Sequence, residues 1–406
     1  MRAAGDKNLR PVLLYNYNIA LINVKVCVYV NANPIFAFMQ RYEPWHLQYA
    51  MQSTVNQTPK KRSYDFVDHI RAIAMIAIVA EHSLSAGVAL TPGTDKVDAY
   101  YILTQLTKFG TITFFLLAGF LIGDKFTDYT PGEYLKRRFS STFGPWMFWS
   151  IVFILCFAAN LKVKANMYHD DRFNWANIWD QVKLVYLYTN YWFIINFMVS
   201  ITILLIFKKY LYTNWFGATL LICTLFYSIN AYTAWINPSH TTAILGYVFF
   251  LWLGAQLRKY WQQVEVAISR ISYLAIFIAI VVTYAASMYE IKALTAINSM
   301  DNINTLRISN ILYTLSVFAL LLKVNTFKVL DYLQPRQSTY GVYLIHPVVL
   351  VYVSPEILRP LHIEVNQISL AAFIAYKVLF LVLTYALTFL VIRLLNLTRA
   401  RTLIGN

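Results

Sequence analysis

The sequence predicts an all-α membrane protein, in which about ten transmembrane helices form one bundle and both termini lie in the cytoplasm. Of the 406 residues, 58% are hydrophobic and 13% are charged, and the mean hydropathy is +0.50. A soluble domain carries about 25% charged residues, so the shortage of charge is large. Long apolar stretches, and basic residues that alternate between links, are the other two observations behind this prediction.

Ten apolar stretches are long enough to cross a bilayer core, which is about 30 Å thick. They run over 66–90, 100–123, 143–161, 191–207, 214–234, 242–257, 271–289, 306–323, 338–354 and 369–395. The polar links between them are short, which favours a single bundle over separate domains. We therefore expect a transmembrane domain over 65–396, preceded by an extension over 1–64 and followed by a short basic tail over 397–406.

The basic residues indicate how the bundle is oriented, because Lys and Arg accumulate in cytoplasmic loops. They concentrate before the first stretch, in every second link and after the last stretch: Lys60, Lys61, Arg62, Lys125, Lys136, Arg137, Arg138, Lys208, Lys209, Arg258, Lys259, Arg270, Lys323, Lys328, Arg336, Arg393, Arg399 and Arg401. The net charge of +15 thus comes from the abundance of Lys and Arg in the predicted cytoplasmic links. There is no long basic run interleaved with aromatic residues, and nucleic acid is not an expected partner.

The N-terminal segment and the cysteines complete the sequence pattern. Residues 11–39 are apolar but interrupted by Asn and Lys, which fits a disordered or strand-like segment; alternatively, the functional chain starts at Met51. The cysteines Cys27, Cys156 and Cys223 are scattered without the spacing of a metal or redox site. No metal is expected.

Arg71 and His82 lie in one apolar stretch, where charged or titratable side chains are costly and often mark a working site. Their separation of eleven residues places them on nearly the same helix face, about 16 Å apart along the axis at about 1.5 Å per residue. A neutral buried imidazole can act as a general base, and a guanidinium suits phosphate. The alternatives are a packing histidine and an arginine that reaches the lipid headgroups.

Other polar residues in the apolar stretches are weaker candidates. Glu81 points about 100° away from His82 and is an alternative proton carrier. Lys108 is the charge in a second stretch whose Gly110, Ala118 and Gly119 permit close helix packing. His346, followed by Pro347, either orients an acceptor or bonds a carbonyl that the proline frees.

Several short motifs occur in the order found in the acyltransferase-3 family, which the chain resembles over about 65–395. They are Arg71 with His82, Phe114-Phe-Leu-Leu-Ala-Gly-Phe-Leu121, Arg137-Arg138 with Pro145, Tyr191-Trp-Phe193, and Tyr340-Gly-Val-Tyr-Leu-Ile-His-Pro347. In two places the chain departs from the family pattern. Ser141 stands where a second arginine is common, and Ala118 stands where serine is common.

The resemblance implies an integral membrane O-acyltransferase. It would move an acyl group, with acetyl as the expected one, from cytoplasmic acyl-CoA to a hydroxyl of an extracytoplasmic or lipid-linked glycan of the cell envelope. It implies His82 as the catalytic residue, with Arg71, Arg137 and Arg138 near the donor. We add Glu81 as a second catalytic candidate, Lys108 at the donor site, and Tyr343, Trp192 and His346 as acceptor or supporting residues.

The resemblance also places the protein in a bacterial inner membrane, among membrane lipids; the sequence leaves the oligomeric state open. The alternative function is a transporter or flippase for an acylated or anionic saccharide or lipid, whose charged groups would line a pathway. Against it, the sequence shows no clear internal repeat. The His-x4-Asp pattern of glycerolipid acyltransferases is absent at all seven histidines.

Overall fold

The computed structural model describes residues 64–86, 89–123, 125 and 129–406. The expectations for residues 1–63, including a start at Met51 and the basic group at 60–62, lie outside the described residues. Within the described part the secondary structure is helical and contains no strand, which confirms the all-α fold class.

The helices follow one another with short links. They are α1 (Asp65–Ser85), α2 (Asp95–Thr107), α3 (Gly110–Gly123), α4 (Pro131–Arg138), α5 (Gly144–Tyr168), α6 (Trp175–Tyr188), α7 (Trp192–Ile206), α8 (Asn214–Thr233), α9 (Ile244–Lys259), α10 (Trp261–Arg270), α11 (Tyr273–Ala296), α12 (Ile308–Val324), α13 (Pro335–Val348), α14 (Ser354–Leu358) and α15 (Leu370–Asn396). Short π-helical segments, Phe139–Phe143 and Val349–Val353, precede α5 and follow α13.

Each predicted apolar stretch coincides with helix, but the count of ten spans is not confirmed. In the described chain, six continuous helical segments are long and apolar enough to cross a membrane, or seven if the bent pair α6 and α7 forms one span. Three of the six join neighbouring elements of the list above: Asp95–Gly123, Pro131–Tyr168 and Pro335–Leu361. Helices α9 and α12 have 16 and 17 residues, which is fewer than the roughly 20 that a bilayer core needs. Helix α1 is long enough but carries Asp68, Arg71 and Glu81. The set of apolar helices is that of an integral membrane protein.

Close backbone contact joins α3 to α9. A Cβ atom at Gly119 would overlap the carbonyl of Leu251, and one at Gly254 would overlap the carbonyl of Leu116. Only glycine leaves room for two helix backbones to approach in this way. Of the small residues predicted in the second stretch, Gly119 thus serves helix packing in this contact.

Helix α1 lies in the interior, in contact with α2, α3, α13 and α15. Ile70, Ala74 and Val79 are completely buried, and apolar residues on its other faces are also covered. Asp68, Arg71 and Glu81 would be costly to place against lipid, so α1 is stable only where other helices surround it. The polar side chains of α1 are therefore held inside the bundle, where their partners come from several other helices.

Candidate functional site

A cavity of about 300 Å³ runs along one face of α1. Arg71, Met75, Ile78 and His82 line it; their spacing of four, three and four residues is that of a single helical stripe. The prediction that Arg71 and His82 share a helix face is thus confirmed. The rest of the described lining comes from α3, α7 and the residue Asn190 before it, α13, the segment from the end of α4 to the start of α5, and Gly405 near the C-terminus.

Arginines gather at one end of this cavity. Arg71, Arg138 and Arg336 line it, from α1, α4 and α13. Nη1 of Arg71 donates to Oδ1 of Asp68 at 2.8 Å, and Nη2 of Arg336 lies 3.4 Å from Oδ2 of the same carboxylate. Because Asp68 offsets only part of their charge, this end of the cavity is positive and suits an anionic ligand.

At the other end, His82 is hydrogen-bonded to His346. Nδ1 of His82 lies 3.1 Å from Nε2 of His346, whose own Nδ1 lies 2.8 Å from the carbonyl oxygen of Val342. A carbonyl can only accept, so a neutral His346 carries its proton on Nδ1 and accepts at Nε2. His82 then donates from Nδ1, which leaves the lone pair of its Nε2 free to take a proton.

A second cavity, of about 370 Å³, begins on the other side of His82. His346, Pro347, Tyr376 and Phe380 are among its walls. Of the described residues, His82 and Asn190 line both this cavity and the arginine-lined one. The two cavities therefore meet at His82 and Asn190.

Pro347 explains how Asn190 is held at this junction. Proline has no N–H, so the carbonyl of Tyr343, four residues earlier, lacks its usual helical donor. Nδ2 of Asn190 approaches that carbonyl at 3.4 Å, while the Tyr343 hydroxyl donates to the carbonyl of Asn190 at 2.8 Å. The Tyr191 hydroxyl donates to the next carbonyl, that of Leu344, at 2.9 Å. These hydrogen bonds hold the part of α13 around Pro347 against the residues that precede α7.

Glu81 and Lys108 form a buried ion pair outside the described lining of the two cavities. Nζ of Lys108 lies 2.6 Å from Oε1 of Glu81, and the lysine side chain is 4% exposed. As far as the described residues go, neither lines the arginine cavity or the second cavity. A buried pair of this kind is costly to break, because the remaining charge would lack a partner. This placement gives no support to a donor-binding role for Lys108 or a catalytic role for Glu81.

The remaining predicted residues are divided between the cavity and the surface. Tyr343 and Trp192 line the arginine cavity. Trp192 stacks on His240 with ring centroids 4.6 Å apart, and burial lowers the pKa of His240, in the link between α8 and α9, to about 4. Arg137 is exposed and donates to the Tyr129 hydroxyl at 3.1 Å; in the described structure it does not line the cavity.

Sequence reasoning missed Arg336, Asp68 and Asn190 as site residues. A signal existed for Arg336, because it follows Pro335 in a basic link on the same predicted side as Arg138. Asn190 precedes the Tyr191-Trp-Phe193 motif by one residue, but nothing in its own type or spacing indicated a role. Among the described residues, no group of three or more His, Cys, Asp or Glu is placed to hold a metal ion.

Comparison with known proteins identifies the family. No curated protein and no solved structure matches the chain. The acyltransferase-3 family model, described as an acyltransferase domain, matches residues 64–393, and so includes both histidines and the three arginines of the arginine cavity. The chain therefore belongs to the acyltransferase-3 family and is, in that general sense, a membrane O-acyltransferase.

Proposed function

We propose that the protein transfers a short acyl group, with acetyl as the first candidate, from acyl-CoA to a hydroxyl of a glycan or lipid-linked saccharide, and that His82 is the general base. One observation carries this proposal. His82 stands where a cavity lined by three arginines meets a second cavity, so it can reach a donor on one side and an acceptor on the other.

The arginine cavity suits acyl-CoA. Its guanidinium groups match phosphate oxygens in charge and hydrogen-bonding geometry. From Arg71 to His82 the helix rises by about 16 Å, at about 1.5 Å per residue, which is of the order of an extended pantetheine arm between diphosphate and thioester. The cavity has a volume of about 300 Å³ and is lined by the rings of Phe114 and Phe193, so it has room for a short acyl group.

The second cavity is the proposed entry for the acceptor. Nε2 of His82 takes the proton of the acceptor hydroxyl while that oxygen attacks the thioester carbonyl. A C–O bond forms, the C–S bond breaks, and the leaving thiolate takes the proton back from the imidazolium. His346 accepts the Nδ1–H bond of His82 throughout, which orients the imidazole and stabilises its charged form.

Asn190 is the proposed donor to the carbonyl oxygen that becomes negative during the attack. Its amide is held at the cavity junction by Tyr343, at the level of His82. Preorganised donors of this kind typically contribute a factor of about 10²–10³ to the rate.

The basic links give the proposed sidedness. Arg71, Arg138 and Arg336 lie at the end of the bundle that the charge distribution assigns to the cytoplasm, where acyl-CoA is made. The second cavity then faces the opposite side of the membrane. A bacterial inner membrane, in which envelope saccharides are assembled on lipid carriers, fits this arrangement.

The meeting of two cavities also supports a second candidate, a transporter or flippase for an acylated or anionic saccharide or lipid. In that case His82 and Asn190 would form the narrow part of a pathway, and acyl-CoA would not be consumed.

One assay tests the proposal. Purified protein in lipid nanodiscs receives acetyl-CoA, and free CoA is followed with and without a glycan-lipid extract of bacterial envelopes. Release that needs the extract and disappears in His82→Asn supports acyl transfer; His169→Asn, at an exposed histidine, is the matched control. No release with acetyl-CoA or longer acyl-CoAs would contradict it, and saccharide flux would then be measured.

A further inference from the structure

A third cavity, an open groove of about 690 Å³, lies beside the end of α1 and between α2 and α11. We infer that this groove binds the sugar units next to the one that is acylated, so that the acceptor is an oligosaccharide or polysaccharide rather than a single sugar. The inference rests on the proposed function, since it takes the His82 cavity as the place of transfer. We call this cavity the outer groove.

The outer groove adjoins the second cavity, where the acceptor is proposed to enter. Ser85, in the last turn of α1, lines both the outer groove and the second cavity, and it is three residues from His82. A chain of sugars with one unit at His82 would therefore pass Ser85 and continue into the outer groove. Its volume lies within the range of about 300–1,000 Å³ that is usual for ligand sites.

Aromatic rings and fixed hydroxyls line the outer groove. Tyr100 and Tyr101 lie with ring centroids 5.5 Å apart, and such rings offer faces for the C–H surfaces of sugars. Nδ2 of Asn302 donates to the Tyr101 hydroxyl at 2.9 Å and to Oγ1 of Thr295 at 2.7 Å. Because the Tyr101 hydroxyl accepts this bond, its own proton can point to a ligand.

The charge of the outer groove differs from that of the arginine cavity. Of the described residues that line it, Asp98 is acidic and Lys292 is basic. A groove with balanced charge and several hydroxyls suits a neutral or zwitterionic saccharide. It is poorly matched to the phosphates of CoA or of an anionic lipid headgroup, which clusters of basic residues bind.

The wall of the outer groove is held in place. Asn366 accepts at Oδ1 from the backbone N–H of Thr91 at 3.2 Å and donates from Nδ2 to the carbonyl of Ala89 at 3.0 Å. Nζ of Lys96 donates to the Asn366 carbonyl at 2.7 Å. Pro92 and Gly93, in the link that these bonds tie down, line the groove. A wall fixed in advance lowers the ordering cost of binding.

The test uses saccharides released from the glycan-lipid extract by mild acid and separated by size into single sugars and oligosaccharides. Wild-type protein should prefer the oligosaccharides, measured as the ratio of kcat/KM values for acyl transfer. Tyr101→Ala and Lys292→Ala should each lower that ratio about tenfold, as expected when one ring or one hydrogen-bonding group is lost. Tyr289→Ala and Lys183→Ala, at exposed residues that lie outside the lining of the groove, are the matched controls.

A binding measurement separates this inference from the proposed function. His82→Asn protein is titrated with the fluorescently labelled oligosaccharides, because binding does not need turnover. Affinity that falls about tenfold in the two groove variants, and in neither control, supports the inference even if no transfer is found. Equal affinity in all variants, no preference over single sugars, or no binding overturns it, even if acyl transfer itself is established.

Discussion

The two ends of α1 use opposite kinds of chemistry. At the Arg71 end, permanently charged groups lie near the surface, and Arg336 is 71% exposed. At the His82 end, His346 is fully buried, and one chain of hydrogen bonds engages both of its nitrogens and Nδ1 of His82 in their neutral forms. A lasting charge at depth is expensive unless it is paired, as in the buried Glu81–Lys108 ion pair, whereas a neutral imidazole needs no counter-charge at rest. One helix can therefore bind by charge at one end and move a proton at the other.

Replacing His82 should lower acyl transfer more than any other change at either end of α1. His82→Asn keeps a hydrogen-bonding side chain beside His346 but removes the proposed base, so acyl transfer should fall by about 10²–10⁴-fold. Binding of acetyl-CoA, measured by equilibrium titration, should change little because the arginine end is intact. Retention of near-normal transfer would show that the proton is taken elsewhere.

Asn190→Ala should come next, with a fall in kcat of about 10²–10³-fold, because the carbonyl oxygen would lose a donor in the transition state. Steady-state kinetics with acetyl-CoA and extract would measure it, with Asn177→Ala on the surface of α6 as the control. A rise in KM without a fall in kcat would assign Asn190 to binding instead.

His346→Phe should lower kcat by about 10–100-fold, the range known for removing the hydrogen-bond partner of a metal-ligating histidine. The ring volume is kept, but Nδ1 of His82 loses its acceptor. His346→Gln can accept a hydrogen bond and should recover part of the rate. Equal losses in both variants would indicate a packing defect rather than a lost hydrogen bond.

The smallest effects should lie at the arginine end. Arg71→Ala should raise the KM for acetyl-CoA about tenfold, the loss expected for one charge-assisted hydrogen bond. The exposed Arg336 should contribute less, since exposed ionic contacts are weak. Arg359→Ala, at an exposed arginine paired with Glu356, is the control. Unchanged donor affinity in Arg71→Ala would return Arg71 to the role of contacting lipid headgroups.

Local pattern predicted those parts of the site that depend on one helix. The shared face of Arg71 and His82 follows from helical periodicity, and the contact at Gly119 follows from residue size. The bond between His82 and His346 joins residues 264 positions apart, and it depends on how α13 packs on α1. Neither that geometry nor the pairing of Lys108 with Glu81 is encoded in the spacing of residues within one segment.

The number of spans is harder to predict for a related reason. Hydropathy measures how a segment partitions into lipid, whereas α1 is surrounded by protein and keeps its ionisable residues through partners on other helices. Asn190 was hard to recognise because it acquires its place through Tyr343 on a distant helix. Asp68 could have been recognised, since its spacing of three residues from Arg71 is that of an ion pair within one helix.

The Pro347 break has a consequence for biosynthesis. The carbonyls of Val342, Tyr343 and Leu344 accept hydrogen bonds from side chains. Two of these side chains, Asn190 and Tyr191, lie just before α7, about 150 residues earlier in the chain. During synthesis the earlier helices can enter the membrane and pack. The side chains of His82, Asn190 and Tyr191 gain their hydrogen-bond partners only after α13 has been made. The proposed site is therefore completed late in assembly, after most of the bundle has already formed.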